Sequence, residues 1–105
     1  MRVVIFIGFA LVIVPAAASD IAVSQREITQ MVSGRTVMIG RDQAQYGTDG
    51  SYRYENGSPG KYRVSNGRIC IDFDDGRARC DRIVKSGGDY YLINAQGQRY
   101  QYRPM

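Results

Sequence analysis

Apolar positions along the chain fall into three regimes. Val3 to Val14 is an apolar run without a charge, preceded by Met1-Arg2 and followed by Pro15 and Ala16-Ala17-Ala18-Ser19. A positive end, a short apolar stretch and small residues before a cleavage point are the layout of a secretory signal peptide. About a dozen apolar residues fall short of the roughly 20 that a membrane-spanning helix needs. Residues 1–18 are therefore expected to be removed after Ala18, leaving 19–105 as one exported domain with no membrane span. An uncleaved anchor is the lesser alternative, and no cysteine follows the run to carry a lipid.

The second regime is short and helical. Ser24-Gln25-Arg26-Glu27 has the spacing of a capping box, in which the Ser24 hydroxyl accepts from the Glu27 amide and the Glu27 carboxylate reaches back. Ile28, Met31 and Val32 give the helix one apolar face, and Gly34 is placed to end it in the left-handed conformation.

From Arg35 onward, runs of β-branched and aromatic residues alternate with turn signals. Asp49-Gly50, Asn56-Gly57, Asn66-Gly67, Asp75-Gly76, Gly87-Gly88 and Gly97 recur about every 7 to 12 residues, the rhythm of an antiparallel meander. The strands predicted between them are 36–40, 44–46, 51–54, 61–64, 68–73, 78–84, 90–93 and 99–102. The expected fold is mainly β, a small antiparallel meander or barrel of seven to eight strands with one short N-terminal helix. No internal repeat beyond this rhythm, no linker and no low-complexity stretch interrupts it.

Composition changes the picture in two ways. Of the 46 apolar residues, 15 lie in the first 18 positions, so the domain proper contains only 14 Leu, Ile, Val and Phe in 87 residues. That is below the roughly 20% at which disorder becomes a serious reading. Low net charge and regular turns oppose disorder, and eight tyrosines offer large areas for burial. A tyrosine-rich core is expected, its hydroxyls reaching the barrel ends or each other. In Tyr52-Arg53-Tyr54, Tyr62-Arg63 and Arg99-Tyr100-Gln101-Tyr102-Arg103, strand alternation sends the rings to one face and the arginines to the other. Rings turned inward serve the core; rings turned outward would make a stacking platform for sugars or bases.

Charge and the missing residue types narrow the chemistry. Beyond Ala18, 13 basic residues face 10 acidic ones, a balance of +3, and the arginines are scattered among acids. That gives little support to a polyanion footprint, and nucleic acid is not an expected partner. Without histidine, imidazole-based triads, acid/base pairs and histidine metal sites cannot be assembled.

Cys70 and Cys80, an even count in a short exported chain, are expected to form a disulfide. A metal or redox pair lacks the Cys-x-x-Cys spacing and a histidine. Closing this short loop contributes about 2 to 3 kcal/mol. Pairing Cys70 directly with Cys80 centres the hairpin on Asp75 and sets Ile71 opposite Arg79, an awkward partner for an apolar face. Either Gly76 forms a bulge that shifts the register, or the disulfide ties the strand ends in a looser geometry.

Gly34-Arg35-Thr36, Asp49-Gly50, Gly60-Lys61-Tyr62-Arg63-Val64, Asn66-Gly67 and the Cys70, Cys80 pair together resemble a family of short, uncharacterised exported domains of Gram-negative bacteria. The resemblance spans most of residues 28–93 and departs at Tyr62, where such domains often carry Trp. It implies a fold but no chemistry. A shorter motif, Ser86-Gly87-Gly88-Asp89-Tyr90, is similar to the Ser-Gly-x-x-Tyr motif of periplasmic inhibitors of c-type lysozymes. These are disulfide-linked β-barrels that insert a loop into the lysozyme cleft, so the resemblance implies Ser86, Gly87, Gly88, Asp89 and Tyr90 as an interaction loop. The plainer expectation is a hairpin turn at Gly87-Gly88 with Tyr90 opening the next strand.

Asp72, Asp74, Asp75 and Asp81 are the densest carboxylates. Asp72-Phe73-Asp74-Asp75-Gly76 lacks the twelfth-position Glu and the ligand spacing of a calcium loop, so a turn capped by aspartates is expected, with no metal or cofactor. Three functional expectations follow. The first is a non-enzymatic binding or envelope-associated module, periplasmic or secreted, acting through the loops 47–50 and 55–59 or an arginine-bearing face. The second is a lysozyme inhibitor, making lysozyme a candidate partner. The third is hydrolysis through Asp72, Asp74 or Asp75.

Overall fold

Strand pairing runs once round the molecule and closes on itself. The computed structural model describes residues 19–55 and 57–105; the expected signal peptide, 1–18, and the Asn56 half of the Asn56-Gly57 turn lie outside the described residues. After a two-residue strand β1 (Ile21–Ala22) and the helix α1 (Gln25–Val32) come β2 (Arg35–Ile39), β3 (Asp42–Tyr46), β4 (Ser51–Tyr54) and β5 (Pro59–Ser65). The chain continues through β6 (Arg68–Phe73), β7 (Ala78–Ser86), β8 (Asp89–Ile93) and β9 (Arg99–Pro104). Each strand from β2 to β9 is antiparallel to the next, and β9 returns to pair β2 through Val37↔Pro104, Met38↔Arg103 and Ile39↔Tyr102. The result is a closed eight-stranded up-and-down barrel, which leaves no open sheet edge among those strands.

The helix is built as its sequence suggests, with one change. The Ser24 hydroxyl accepts from the Glu27 amide at 3.2 Å. The Glu27 carboxylate, however, accepts from the Tyr90 hydroxyl on β8 rather than turning back to Ser24. The second half of the capping box is thus replaced by a tertiary contact. Gly34 follows the helix at φ +72°, in the left-handed region expected of it. Ile28, Met31 and Val32 are buried and stop one end of the barrel. Among the described residues, no helix is long and apolar enough to cross a membrane.

Strand boundaries differ from expectation where pairing outruns the turn signals. β7 continues past Val84 to Ser86, because β1 pairs with it beyond the end of β6, through Ile21↔Lys85 and Ala22↔Val84, while β8 holds its other edge. β5 begins two residues early, at Pro59, and there Gly60 is required. A Cβ at Gly60 would lie 2.5 Å from the Asp72 carbonyl oxygen and 2.9 Å from the Phe73 Cα. The β2–β3 hairpin turns on Gly40-Arg41, a pair without the Asx-Gly or Gly-Gly signal that marks most of the other hairpin turns.

Tyrosine supplies part of the core: among the described residues, three of the fourteen in the buried cluster are Tyr and the other eleven are aliphatic or Met. Tyr46, Tyr52 and Tyr102 are buried beside Ile69, Ile71, Ile83, Val37 and Leu92. The Tyr46 ring meets Tyr52, Tyr62 and Tyr102 edge to face, at centroid distances of 5.2, 5.1 and 6.5 Å, an arrangement that aromatic quadrupoles favour. Hydroxyls end on each other or on backbone: Tyr102 donates to the Tyr46 oxygen at 2.7 Å and Tyr62 to the Gly47 carbonyl at 2.7 Å. Burial raises the Tyr46 and Tyr102 hydroxyls well above the usual phenol range. Arg53, Arg63 and Arg103 point to solvent from the same strands.

Cys70 and Cys80 form the disulfide, their Cα atoms 4.0 Å apart on directly opposed residues of β6 and β7. Neither of the two expected adjustments occurs. Gly76 is the left-handed residue (φ +95°) of a three-residue turn, and the register stays centred on Asp75. Ile71 does stand opposite Arg79.

Candidate functional site: the polar mouth of the barrel

With Cys70 and Cys80 on the outer face, alternation fixes what lies inside. Ile69, Ile71 and Phe73 of β6 face inward, and so do their β7 partners Asp81 and Arg79. Asp81 is 2% exposed, the only fully buried charged residue among those described. Its Oδ2 accepts from Arg79 Nε at 2.9 Å, and Arg79 Nη2 donates to the Tyr52 hydroxyl at 3.3 Å. The guanidinium also lies 5.9 Å from the ring centroids of both Tyr54 and Phe73, within the range of cation–π attraction. These contacts answer the awkward pairing: Arg79 is not forced to solvent, because a carboxylate two residues along the same strand and three aromatic rings receive it.

The pair stands at the end of the barrel away from the helix. There the turns 40–41 and 94–98 border a cleft of about 780 Å³, walled by Ile39, Tyr54, Leu92 and Tyr100, with Arg79 and Asp81 among the residues that line it. At the rim the Tyr54 hydroxyl donates to Asp42 Oδ2 at 2.5 Å. Burial, followed by this bond, pushes the Tyr54 hydroxyl far above its ordinary value. The loop after β8 is held by Asn94, whose Oδ1 accepts from the amides of Gln96 and Gln98 at 3.1 and 2.8 Å.

Asp81 has one oxygen too many for its surroundings. Its Oδ1 is buried and has no hydrogen-bond partner among the described residues. An unsatisfied buried acceptor costs about 1–3 kcal/mol, more when charged. Burial raises the Asp81 carboxyl above the ordinary value of 3.8, and the neighbouring Arg79 pulls it back part of the way.

The residues singled out by sequence are distributed elsewhere. Ser86 pairs with Asp89 across a two-residue turn in which Gly87 and Gly88 take φ +60° and +95°. This hairpin lies at the helix end, opposite the mouth. Tyr90 is half-buried, its hydroxyl committed to Glu27 and its ring 5.3 Å from the Lys85 Nζ. The loop 47–50 also lies at the helix end, with Asp49 Oδ1 accepting from the Ser51 amide at 3.0 Å. Of the loop 55–59, Glu55 follows β4 at the mouth end, its Oε2 accepting from the Gln43 amide at 2.6 Å, and no described residue of this loop lines the cleft.

The four aspartates do not form one group. Asp72 is on the outer face, 3.0 Å from Arg63. Asp75 holds its own turn, accepting from the Arg77 amide at 3.0 Å and pairing with the Arg77 side chain at 2.8 Å. Asp74 is exposed in the same turn, and Asp81 is inside the wall. Among the described residues, no three His, Cys, Asp or Glu side chains come together as a metal site.

Sequence reasoning paired Ile71 with Arg79 but did not carry the alternation on to place Arg79 and Asp81 inside. The signal was present in Arg79-Cys80-Asp81: once Cys80 faces its partner on the outer wall, both neighbours must face in. No family model matches the chain, no curated protein matches it and no solved structure matches it.

Proposed function

We propose that this protein is a non-catalytic binding module, exported to the cell envelope or beyond, and that the mouth of the barrel receives a small ligand. The observation that supports this reading is the orphaned acceptor of Asp81, buried beside a cleft and next to an arginine. A buried ion pair is rarely the most stable filling for a barrel end, since apolar side chains of similar volume often do as well or better. A polar floor with aliphatic and aromatic walls and a few convergent polar groups is the usual make-up of a ligand pocket. Envelope components are the candidate ligands, through the expected signal peptide.

Screening a fragment library against the protein by backbone amide chemical shifts tests the proposal. Binding fragments are expected to move Arg79, Asp81, Leu92 and the 94–98 loop as one group. Shifts confined to the helix end, or no binder at millimolar concentration, would oppose it.

One observation keeps a second reading. Nothing lies within 4 Å of where a Cβ would stand at Gly87 or Gly88, so this hairpin tip is open. It is free to enter an enzyme cleft in the manner of a lysozyme inhibitor. A lysozyme assay at micromolar protein distinguishes the two readings, because binding at the mouth predicts no inhibition.

A further inference from the structure

Chain order scatters the arginines, but the barrel register collects three of them on one stretch of outer wall. Arg68 of β6 is directly opposed to Arg82 of β7, Arg82 to Ile93 of β8, and Ile93 to Arg99 of β9. Arg68 and Arg82 share the parity of Cys70 and Cys80 on their strands, so the whole row faces outward.

One end of this row already holds an anion. The two Asp20 carboxylate oxygens accept from Arg99 Nη1 and Nη2 at 2.9 and 2.8 Å, and the same guanidinium lies 4.3 Å from the Tyr91 ring centroid. A planar fork set against an aromatic face and closed on two oxygens is how arginine recognises oxyanions. The hydrogen bond from Arg99 lowers the Asp20 carboxyl below its ordinary range, and the charge of Arg82 adds to that effect, so Arg82 is within electrostatic reach of the same carboxylate.

The other end is open. Arg68 and Arg82 are both exposed, and among the described residues neither takes part in an ion pair. Like charges directly opposite one another on a sheet are destabilising. The neighbouring acids do not relieve this pair, because Asp20 is engaged with Arg99 and Asp72 with Arg63. Three guanidinium groups and one carboxylate leave the row with two positive charges in excess.

Directly opposed residues stand about 5 Å apart at Cβ, so two forks can close on one small group. A carboxylate offers two oxygens and one charge, which a single arginine satisfies, as Asp20 does on Arg99. A phosphate monoester offers three terminal oxygens and carries about −1.5 to −2 at neutral pH. That is the charge left unanswered on Arg68 and Arg82.

We infer that Arg68 and Arg82 form a site on the outer wall for the phosphate group of a monoester, with the Asp20 carboxylate as the neighbouring charge that limits its affinity. The site is separate from the mouth and stands independently of the reading of the mouth as a pocket.

The test is a titration with methyl phosphate, dimethyl phosphate and acetate at constant ionic strength, near pH 7.5 and so above the second phosphate pKa of about 6, followed through the arginine Nε–H signals. Methyl phosphate is expected to move Arg68 and Arg82 together and to bind at least about fivefold more tightly than either monoanion, since the attraction scales with ligand charge. Arg68→Gln and Arg82→Gln are each expected to weaken it about fivefold, and Asp20→Asn to tighten it about twofold, the range of exposed charge pairs. Arg53→Gln, on β4, is expected to leave binding unchanged. Arg68→Gln also removes a like-charge opposition, so its urea midpoint is not expected to fall, which separates weaker binding from weaker folding.

No shift at millimolar methyl phosphate, equal binding of acetate, or shifts as large at Arg53 and Arg103 overturn the inference. Binding unmoved by both glutamine substitutions overturns it as well. So does a preference for dimethyl phosphate, which would assign the row to phosphodiesters. A lower urea midpoint for Arg68→Gln with binding retained would make the pair structural and overturn the site.

Discussion

Arg79 and Asp81 show what alternation can impose on single residues. Their pairing offsets two costs, a guanidinium drawn inside a barrel and a carboxylate removed from water. Removing one partner leaves the other exposed to its full penalty. Arg79→Met is therefore expected to lower unfolding free energy by about 3 kcal/mol, whereas adding Asp81→Leu to it recovers much of that loss. Urea melts of the two single variants and the double variant measure this, and strictly additive effects would contradict it.

The same carboxylate makes stability depend on pH. Its folded pKa is raised above the unfolded value of 3.8 by burial, so between those two values the folded state holds more protons than the unfolded state. Asp81 thus favours folding in acid, and that contribution is lost as pH rises through the folded pKa. Asp20, Asp49 and Asp75, whose pKa values are lowered chiefly by hydrogen bonds from Arg99, Ser51 and Arg77, act in the opposite sense. Comparison with Asp81→Asn isolates the one from the others. From pH 3.5 to 7, the wild type is expected to lose stability relative to this variant, and a relative gain would count against the burial of Asp81.

At the scale of elements, the β6–β7 hairpin sets the register from which the site follows. Its disulfide joins directly opposed residues, and breaking it with Cys70→Ala and Cys80→Ala is expected to cost about 2–3 kcal/mol, read from denaturation midpoints. Next to it, Gly60→Ala drives a methyl into the backbone of β6. A cost of about 1–3 kcal/mol is expected, typical of overpacking, and unaltered stability would show that β5 does not approach β6 so closely.

These elements also show what could be read from the sequence. Asx-Gly and Gly-Gly turns and β-branched runs were legible because their chemistry is local, and so was the helix with its Ser24 cap and Gly34 stop. Gly40-Arg41 carries no side-chain turn signal, and β1 is too short to have a pattern of its own. Glu27 was read as half of a capping box because its true partner, Tyr90, lies 63 positions away. Arg79 and Asp81 were hidden by their polarity, which argues for the outer face until the disulfide register overrules it.

Across the whole molecule, the two ends of one barrel are finished differently. α1 stops one end with Ile28, Met31 and Val32, while the other is left to a charged pair, two tyrosines and the turns 40–41 and 94–98. Three buried tyrosines set into a mainly aliphatic core suit this plan, since each ring fills volume and brings a hydroxyl that can end at a polar surface. The account depends on Arg79 lying inside the wall, on Asp81, rather than in solvent like Arg53. The exchange and proton–proton contacts of the Arg79 Nε–H test this most directly. Slow exchange with solvent and nuclear Overhauser contacts to Ile71 and Phe73 are expected, whereas exchange as fast as that of Arg53, with no contact to either residue, would contradict the account.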